Sequence, residues 1–305
     1  MPTPVGRFAP SPTGPLHMGS LVAAVASWLH VRRSGGRWLV RMEDIDRPRV
    51  IPGSAEEILQ ALRLYGLESD GPVVRQSERT DVYGRTLARL EAQRLVYDCA
   101  CSRSDLQRVA SAPAGRELVY PGTCREGIPD GRPARAVRFK VTEGQVVFQD
   151  QIFGTLEEDV SIDTGDFVVR RADGLFAYQL AVVVDDAEQG VTEVVRGADL
   201  LPSTGRQIVL QRALGYPTPI YAHVPLVLGG DGQKLGKRDG ALPLPTLDQD
   251  HVRNTLGTAL EILGIRGIDP APPRQMLATA IERFDLARIS REPVIWDSAA
   301  ARLLK

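Results

Sequence analysis

A stretch close to the amino end, residues 5–20, constrains the fold more than any other part of the chain. Residues 5–8 predict a short apolar strand, and a turn rich in proline and glycine follows. From residue 19 to residue 33 an alanine-rich run has the length and composition of a helix. A strand, a turn and a helix N-terminus in this order can receive a phosphate on unpaired backbone N–H groups. His17, in the turn, can add a hydrogen bond to a phosphate oxygen.

Composition predicts a globular chain and excludes several classes of protein. Of the 305 residues, 43% are hydrophobic, which is enough to bury a large core. We find no apolar run long enough to cross a bilayer and no signal-peptide pattern, so we expect a cytoplasmic protein without a membrane partner. The formal net charge is −1, from 37 basic and 38 acidic residues, so a nucleic-acid partner would need a local basic patch.

The first hundred residues predict an α/β domain. Residues 37–42 form a second apolar strand, and helix patterns cover residues 54–66 and 81–95 with a short strand at 72–74 between them. This alternation favours a parallel sheet over a helix bundle. The acidic cluster at residues 43–46 follows the second strand, at the sheet edge where ligands bind in such folds. On spacing alone, a solvated run of surface charge explains this cluster equally well.

The sequence changes character after residue 95. Residues 96–162 hold all three cysteines, a segment rich in proline and glycine, and two strand-like segments at 135–141 and 146–152. We expect this part to be an insertion outside the parallel sheet. Three clustered cysteines are an odd number, which argues against a disulfide framework. They could instead share one metal with a fourth ligand such as Tyr120, or they could be reduced and buried.

The remaining chain returns to alternating strands and helices. Residues 166–184 predict either a hairpin or a strand that leads into a helix, and Tyr178 within them could be an ordinary core residue. A helix at 203–214 and a buried strand at 220–228 follow, then a basic loop at 234–238 and helices at 252–263 and 274–284. The basic loop lacks the spacing of a P-loop.

Three motifs in this order resemble class I aminoacyl-tRNA synthetases of the glutamyl branch. The stretch Pro-Ser-Pro-Thr-Gly-x-Leu-His-x-Gly resembles the first signature of that class, with Ser20 in place of its second histidine. Residues 41–46 resemble the Arg-Ile-Glu-Asp-x-Asp element of the branch. The loop at 234–238 resembles the second signature in its Lys-Leu-Ser-Lys-Arg form, with Gly236 in place of serine.

The cysteine region narrows the resemblance to the glutamyl-Q tRNA(Asp) synthetases. Members of that family carry a zinc pattern Cys-x-Cys followed by Tyr-x-x-x-Cys, and all four positions match here, at Cys99, Cys101, Tyr120 and Cys124. The resemblance implies one structural zinc ion per chain, because four protein ligands leave no open position for catalysis. Residues 239–305 are too few for the anticodon-binding domain of full glutamyl-tRNA synthetases, so we expect none.

The resemblance also implies a fold and a function. The expected fold is a class I synthetase Rossmann-type parallel sheet with a zinc-bearing insertion and a short helical C-terminal region. The expected divisions are 1–95, 96–165, 166–240 and 241–305. The expected activity is tRNA-independent activation of L-glutamate with ATP and Mg²⁺, followed by transfer to the queuosine base at the wobble position of tRNA(Asp). We expect a monomer.

The same resemblance assigns site residues. The residues implied to bind glutamate are Arg7, Ala9, Ser11, Glu43, Tyr178 and Arg196. The residues implied to bind ATP are His17, Gly19, Ser20, Lys234 and Lys237, of which His17 and Lys237 are expected to act in catalysis. A cation paired with each carboxylate and a carboxylate for the ammonium group would complement glutamate.

Two other functions remain open from the sequence. A shortened glutamyl-tRNA synthetase would charge the ordinary 3′ end of a tRNA. A noncatalytic tRNA-binding or nucleotide-binding relic is the other alternative, because Gly236 removes a hydroxyl group from the second signature.

Overall fold

The fold is built on a mostly parallel β-sheet. The computed structural model describes residues 3–102, 104–106, 119–230, 232, 244, 248–297 and 302–304. Within these residues, seven strands form the main sheet in the order β3-β2-β1-β9-β10-β6-β7, and all neighbours are parallel except β6 and β7. The strands of this sheet are β1 (Val5–Phe8), β2 (Arg37–Met42), β3 (Val74–Arg75), β6 (Gln145–Asp150), β7 (Gly154–Asp159), β9 (Glu193–Gly197) and β10 (Ile220–Val224).

Helices connect the strands of the main sheet. The helices are α1 (Met18–Arg33), α2 (Ser54–Leu64), α3 (Thr80–Ala92), α4 (Val160–Asp163), α5 (Tyr178–Glu188), α6 (Thr204–Leu214), α7 (Gln249–Ile262) and α8 (Pro273–Arg283). Helix α1 lies against β1 and β9 on one side and against α7 and α8 on the other. It is therefore apolar around most of its circumference, and Leu21, Val25 and Leu29 are fully buried.

Two smaller sheets complete the described fold. Strands β4 (Val96–Cys99), β5 (Ala136–Phe139) and β8 (Phe167–Arg170) form an antiparallel sheet. Strand β11 (Val227–Leu228) pairs in parallel with β12 (Val294–Asp297), which pairs antiparallel with β13 (Arg302–Leu304). In the part of the chain that the structure describes, no helix combines the length and the apolar character needed to cross a membrane.

The expected α/β fold with a parallel sheet is confirmed, but one expectation about the insertion is wrong. Strand β6 joins the main sheet beside β10, with Asp150 opposite Tyr221, and β7 extends the sheet by an antiparallel hairpin. Strand β8, in turn, pairs with β5 in the antiparallel sheet. Alternating apolar residues predict a strand but not its partner, because hydrogen bonding between strands is set by the surrounding chain. The expected division of the chain into four parts stays a prediction.

Some local details of the strands and helices differ from expectation, and others agree with it. The predicted strand at 220–228 divides at Pro225, because proline lacks the N–H that a sheet interior needs. Helix α2 begins at Ser54, as expected, with Gly53 as its N-cap. The Ser54 hydroxyl donates to the backbone carbonyl of Gly14 (2.9 Å) and accepts from its N–H (3.1 Å), which ties α2 to the first turn. Residues 166–184 form a strand that leads into a helix, one of the two structures expected.

Candidate active site

A cavity of about 510 Å³ opens at the carboxyl ends of β1, β2 and β9. Parallel strands bring the residues that follow them to one sheet edge, so side chains far apart in sequence meet there. The sequence-predicted residues that line the cavity are Arg7, Ala9, Ser11, His17, Gly19, Ser20, Glu43, Tyr178 and Arg196. Lys234 and Lys237, and with them the second signature, lie outside the described residues.

The N-terminus of α1 forms one wall of this cavity. His17 is the N-cap, and its Nδ1 accepts a hydrogen bond from the backbone N–H of Ser20 (3.3 Å). With Nδ1 as acceptor, the ring proton lies on Nε2, which is 3.1 Å from the Ser20 hydroxyl. A side chain on Gly19 would place its Cβ 3.3 Å from the His17 ring, so glycine leaves room for the imidazole. The helix end thus offers backbone N–H groups to an anion, beside the hydrogen-bonded pair of His17 and Ser20.

A buried cluster of charges forms a second wall. The Arg7 guanidinium donates to both oxygens of Asp186, from Nε at 3.2 Å and from Nη2 at 3.4 Å. Arg41, in the interior of β2, is fully buried, and its Nη2 lies 2.8 Å from Asp186 and 3.4 Å from Glu43. Gln189 accepts from the Nη1 of the same guanidinium at 2.7 Å. Asp185 Oδ2 also lies 3.7 Å from Arg41 Nε, so three carboxylates surround the two buried arginines.

Burial and neighbouring charge shift several pKa values in this cluster. Burial raises the pKa of Glu43 to about 6, although Arg41 and Arg7 act in the opposite direction. Burial also acts to raise the pKa of Asp186, but Arg7 and Arg41 outweigh it and hold that pKa below its usual value. For Arg41, burial acts to lower the pKa, and the nearby carboxylates outweigh it and raise the pKa. Asp186 is thus the permanent anion of the cluster, and Glu43 is the group that titrates close to neutral pH.

An outer layer of hydrogen bonds holds α5 against this cluster. Asp185, next to Asp186 on α5, is fully buried and accepts from Gln76 Nε2 at 2.8 Å, from Arg79 Nε at 2.7 Å and from the Tyr83 hydroxyl at 2.8 Å. These three donors come from the turn before α3 and from α3 itself. On α5, Asp186 therefore contacts the arginines of the cluster, and Asp185 anchors the helix to α3 and to the turn before it.

Arg196 lies near the end of β9, the strand next to β1, and most of its guanidinium is held by protein. Its Nε donates to His223 Nε2 (3.0 Å), and its Nη1 donates to Gln207 Oε1 (2.8 Å). Its Nη2 donates to Thr204 Oγ1 (2.9 Å) and to the carbonyl of Leu200 (3.4 Å). These partners fix the position of a cation that is only 4% exposed. Tyr178, which also lines the cavity, begins α5, and burial raises the pKa of its hydroxyl, which keeps it protonated.

The three cysteines meet away from the cavity, at the end of β4. The Sγ atoms of Cys99, Cys101 and Cys124 all lie within 4.8 Å of one another. The Tyr120 hydroxyl lies 3.4 Å from the Cys99 Sγ and 3.8 Å from the Cys101 Sγ. The four predicted ligand side chains are therefore neighbours in space. Three thiols and a phenol form a donor set that suits a soft tetrahedral ion.

A buried arginine accompanies the cysteines. Arg138 donates from Nε to the Cys99 Sγ (3.3 Å), and its guanidinium carbon lies 3.7 Å from the centroid of the Tyr120 ring. Burial acts to raise the pKa of the Cys99 thiol, but hydrogen bonds from Tyr120 and Arg138 outweigh it and lower that pKa. A stable thiolate is the form that binds a metal ion.

Comparison with known proteins agrees with this geometry. The family described as tRNA synthetases class I (E and Q), catalytic domain, matches residues 5–297. A glutamyl-Q tRNA(Asp) synthetase of Geobacter sulfurreducens is 54% identical over 277 residues, covering 90% of this chain and 87% of its own. This chain belongs to the glutamyl-Q tRNA(Asp) synthetase family, within the class I tRNA synthetases. A second member, from Thiobacillus denitrificans, is 52% identical and covers 95% of this chain and 96% of its own.

Solved structures extend the comparison beyond this synthetase family. The crystal structure of a glutamate tRNA ligase from Elizabethkingia meningosepticum, in complex with its amino acid, matches with a TM-score of 0.78 at 27% identity. The match covers 98% of this chain and 68% of that ligase. The expected class of enzyme, a synthetase-type ligase with a class I catalytic domain, is therefore confirmed.

Sequence reasoning did not find several polar residues that support the site. Arg41 and Asp186 lie within or beside the motifs that carry the resemblance, but their roles were not expected. Asp150 and His223 were not expected at all, although a histidine inside an otherwise apolar strand is a detectable signal. Gln207 belongs to a helix in which polar and apolar residues are both buried, so its sequence pattern does not distinguish a buried amide from an exposed one.

Proposed function

We propose that this synthetase activates L-glutamate with ATP through the cavity at the carboxyl edge of the sheet, and then transfers glutamate to queuosine in tRNA(Asp). One observation carries the assignment of the cavity: Arg7, Arg196 and Glu43 line it together, beside the N-terminus of α1. Glutamate has two carboxylates and one ammonium group, so two cations and one anion complement it. The helix end and His17 offer donors for the phosphates of ATP.

The proposed first step needs no strong base. An oxygen of the glutamate α-carboxylate, already ionised, attacks the α-phosphorus of ATP, and the bond from that phosphorus to the pyrophosphate oxygen breaks. Glutamyl-adenylate and pyrophosphate are the products. The protein contributes positioning and stabilisation of charge, with Arg7 and Arg196 on the carboxylates and Glu43 on the ammonium group. Gly19 and Ser20 supply the helix end, and Ala9 and Ser11 line the cavity beside Arg7.

Two lysines of the second signature complete the proposed ATP site. Lys234 and Lys237 would neutralise charge on the phosphates, with Mg²⁺ accompanying ATP as a co-substrate ion. If Lys237 neutralises the departing pyrophosphate, Lys237→Ala lowers the activation rate far more than it weakens glutamate binding. An unchanged rate in that variant removes Lys237 from the mechanism.

We also propose that Cys99, Cys101, Tyr120 and Cys124 hold one structural zinc ion. The mutual proximity of the thiols and the phenol supports this, and the ion would stabilise the fold around β4 without entering the reaction. Metal analysis of the purified protein is expected to find about one zinc ion per chain. Zinc in the wild type and in a Cys124→Ser variant in equal amounts would exclude this site. A cytoplasmic location and a monomeric state stay predictions.

Pyrophosphate–ATP exchange tests the proposed activation. With glutamate, ATP and Mg²⁺ but no tRNA, exchange is expected, and glutamine in place of glutamate is expected to support far less, because an amide cannot pair with a fixed cation as a carboxylate does. Exchange that requires tRNA would favour a shortened enzyme that charges the 3′ end. No exchange in either condition would favour a noncatalytic relic.

Transfer requires its own test. Radiolabelled glutamate is expected to attach to tRNA(Asp) that carries queuosine, and removal of the 3′-terminal adenosine of the tRNA beforehand is expected to leave the attachment intact. The matched control is tRNA(Asp) from cells that lack queuosine. Attachment that is lost when the 3′-terminal adenosine is removed would contradict the proposed target.

A further inference from the structure

Three buried side chains form a hydrogen-bonded series that links two strands of the main sheet to the cavity. Asp150 ends β6, His223 lies in β10, and Arg196 lies in β9. His223 Nδ1 is 2.6 Å from Asp150 Oδ2, and His223 Nε2 is 3.0 Å from Arg196 Nε. Asp150 and His223 are fully buried, and Arg196 is 4% exposed. Of these three, only Arg196 lines the cavity, so the other two do not contact a ligand there.

The two outer members of this hydrogen-bonded series, Arg196 and Asp150, determine the direction of each hydrogen bond. Arg196 Nε carries a hydrogen and can only donate, so His223 Nε2 must be an unprotonated acceptor. The ring hydrogen therefore lies on Nδ1, facing the carboxylate of Asp150. Thr204 supports the same tautomer, because its hydroxyl accepts from Arg196 at 2.9 Å and lies 3.4 Å from His223 Nε2, to which it can donate.

The other oxygen of Asp150 is also committed. Its Oδ1 accepts from the backbone N–H groups of Ile152 (2.9 Å) and Phe153 (2.8 Å) at the turn between β6 and β7. The carboxylate is thereby held in one orientation, with Oδ2 towards the imidazole. Burial lowers the pKa of His223 to about 4 and outweighs the opposing effect of Asp150, so the ring is neutral at physiological pH. A neutral ring beside Arg196 avoids a contact between two cations.

We propose that Asp150 and His223 are positioning residues that fix the Arg196 guanidinium for recognition of a carboxylate of the amino-acid substrate. This inference rests on the proposed role of Arg196 in glutamate binding. Asp150 sets the imidazole tautomer, and the imidazole orients Nε of the arginine. The remaining guanidinium contacts, to Gln207 and Thr204, complete the orientation. The neutral imidazole thus holds the buried Arg196 guanidinium in one position without placing a second positive charge beside it.

The substitution Asp150→Asn tests this hydrogen-bonded series, because it changes the partner that sets the tautomer of the His223 imidazole. The backbone N–H groups of Ile152 and Phe153 require an oxygen, so the asparagine must direct its NH₂ group towards His223. The ring then accepts at Nδ1 and carries its hydrogen on Nε2, where it meets the N–H of Arg196. We expect the KM for glutamate in pyrophosphate exchange to rise at least about tenfold, the usual effect of an unpaired buried donor, while the KM for ATP changes less than about twofold.

Two variants of the histidine separate positioning from packing. In His223→Gln the amide oxygen can still accept from Arg196 Nε, so the KM for glutamate is expected to stay within about threefold of the wild type. In His223→Leu no acceptor remains, and the KM is expected to rise as in Asp150→Asn.

In an Arg196→Lys background, Asp150→Asn is expected to add little, because coupled residues are not additive. The matched control is Glu193→Gln, since Glu193 pairs with His30 (3.0 Å) outside the cavity, and it is expected to leave both KM values unchanged.

Nitrogen-15 NMR of the histidine rings gives a readout independent of activity. The chain has four histidines, and the His223→Gln variant assigns the His223 signals. The wild type is expected to show the Nδ1–H tautomer at His223, and Asp150→Asn the Nε2–H tautomer. The inference is overturned if the tautomer changes while the KM for glutamate does not, or if Glu193→Gln has the same effect as Asp150→Asn. Absence of glutamate-dependent exchange in the wild type would instead overturn the proposed function, and this inference with it.

Discussion

Glutamate binding is expected to weaken as the pH falls through about 6, because Glu43 then loses its charge. The Glu43 side chain is only 8% exposed, and burial raises its pKa to about 6 even though Arg41 and Arg7 are close. In the proposed site Glu43 is the anion that meets the substrate ammonium group. Above the pKa the carboxylate is ionised and binds the ammonium group. Below the pKa it is protonated, and this interaction is lost.

The size of the effect follows from the pKa. With a pKa of about 6, about nine-tenths of Glu43 is ionised at pH 7 and about one-tenth at pH 5. If only the ionised form binds well, the Kd for glutamate rises about tenfold over this interval, a loss of about 1.4 kcal/mol. The side-chain carboxyl of glutamate has an ordinary pKa of about 4.3, so it stays mostly ionised over the same interval.

Calorimetric titration of the protein with glutamate, without ATP, measures this dependence between pH 5 and pH 7.5. ATP is left out because its terminal phosphate also titrates in this range. The matched control is Glu43→Gln, which is expected to bind glutamate more weakly and to lose the inflection near pH 6. A Kd that does not change with pH in the wild type would refute the reasoning, and so would an equal pH dependence in the glutamine variant.

Three further predictions follow from the packing around the cavity and around the cysteine cluster. Asp186→Asn leaves Arg7 and Arg41 without their shared carboxylate and is expected to destabilise the fold by about 3 kcal/mol in urea denaturation; an unchanged midpoint would contradict the role of Asp186. Gly19→Ala is expected to raise the KM for ATP by pressing on the His17 ring without lowering the thermal midpoint, since alanine favours helices. A KM equal to that of the wild type would show that the imidazole has room to move. Arg138→Gln is expected to weaken zinc binding in competition with a chelator, because it removes a charged donor to the Cys99 sulfur, and equal zinc retention would show that this donor is not needed.

The first βαβ unit was predictable because its signals are local. Residues 5–8 and 37–42 form strands within the expected bounds, and the helix between them begins at Met18, one residue before the prediction. Hydrophobic residues, helix formers and turn residues act over a few positions, so the sequence around each element contains most of the information. The cysteine cluster was predictable for a related reason, since three cysteines within 26 residues that match a family pattern predict one shared site.

Contacts between distant strands were not predictable in the same way. Nothing in the sequence near residues 145–150 indicates that β6 pairs with β10 rather than with the strands of the cysteine region. The partner of a strand depends on which edge of the sheet the folded chain leaves open. The expectation that this segment lies outside the parallel sheet was wrong for this reason.

By itself, the sequence determined the kind of fold, the family and three of the charged residues that line the cavity, Arg7, Glu43 and Arg196, although Arg49 and Asp199 line it as well. The tertiary structure decided how those charges are held. Arg196 obtains its orientation from a histidine on β10 and an aspartate on β6, and Arg41 and Arg7 share Asp186 on α5. Buried charges are stable only when partners surround them, and those partners come from elements far apart in sequence. In this protein the motifs therefore predicted residues that line the cavity, whereas packing determines where their hydrogen bonds point.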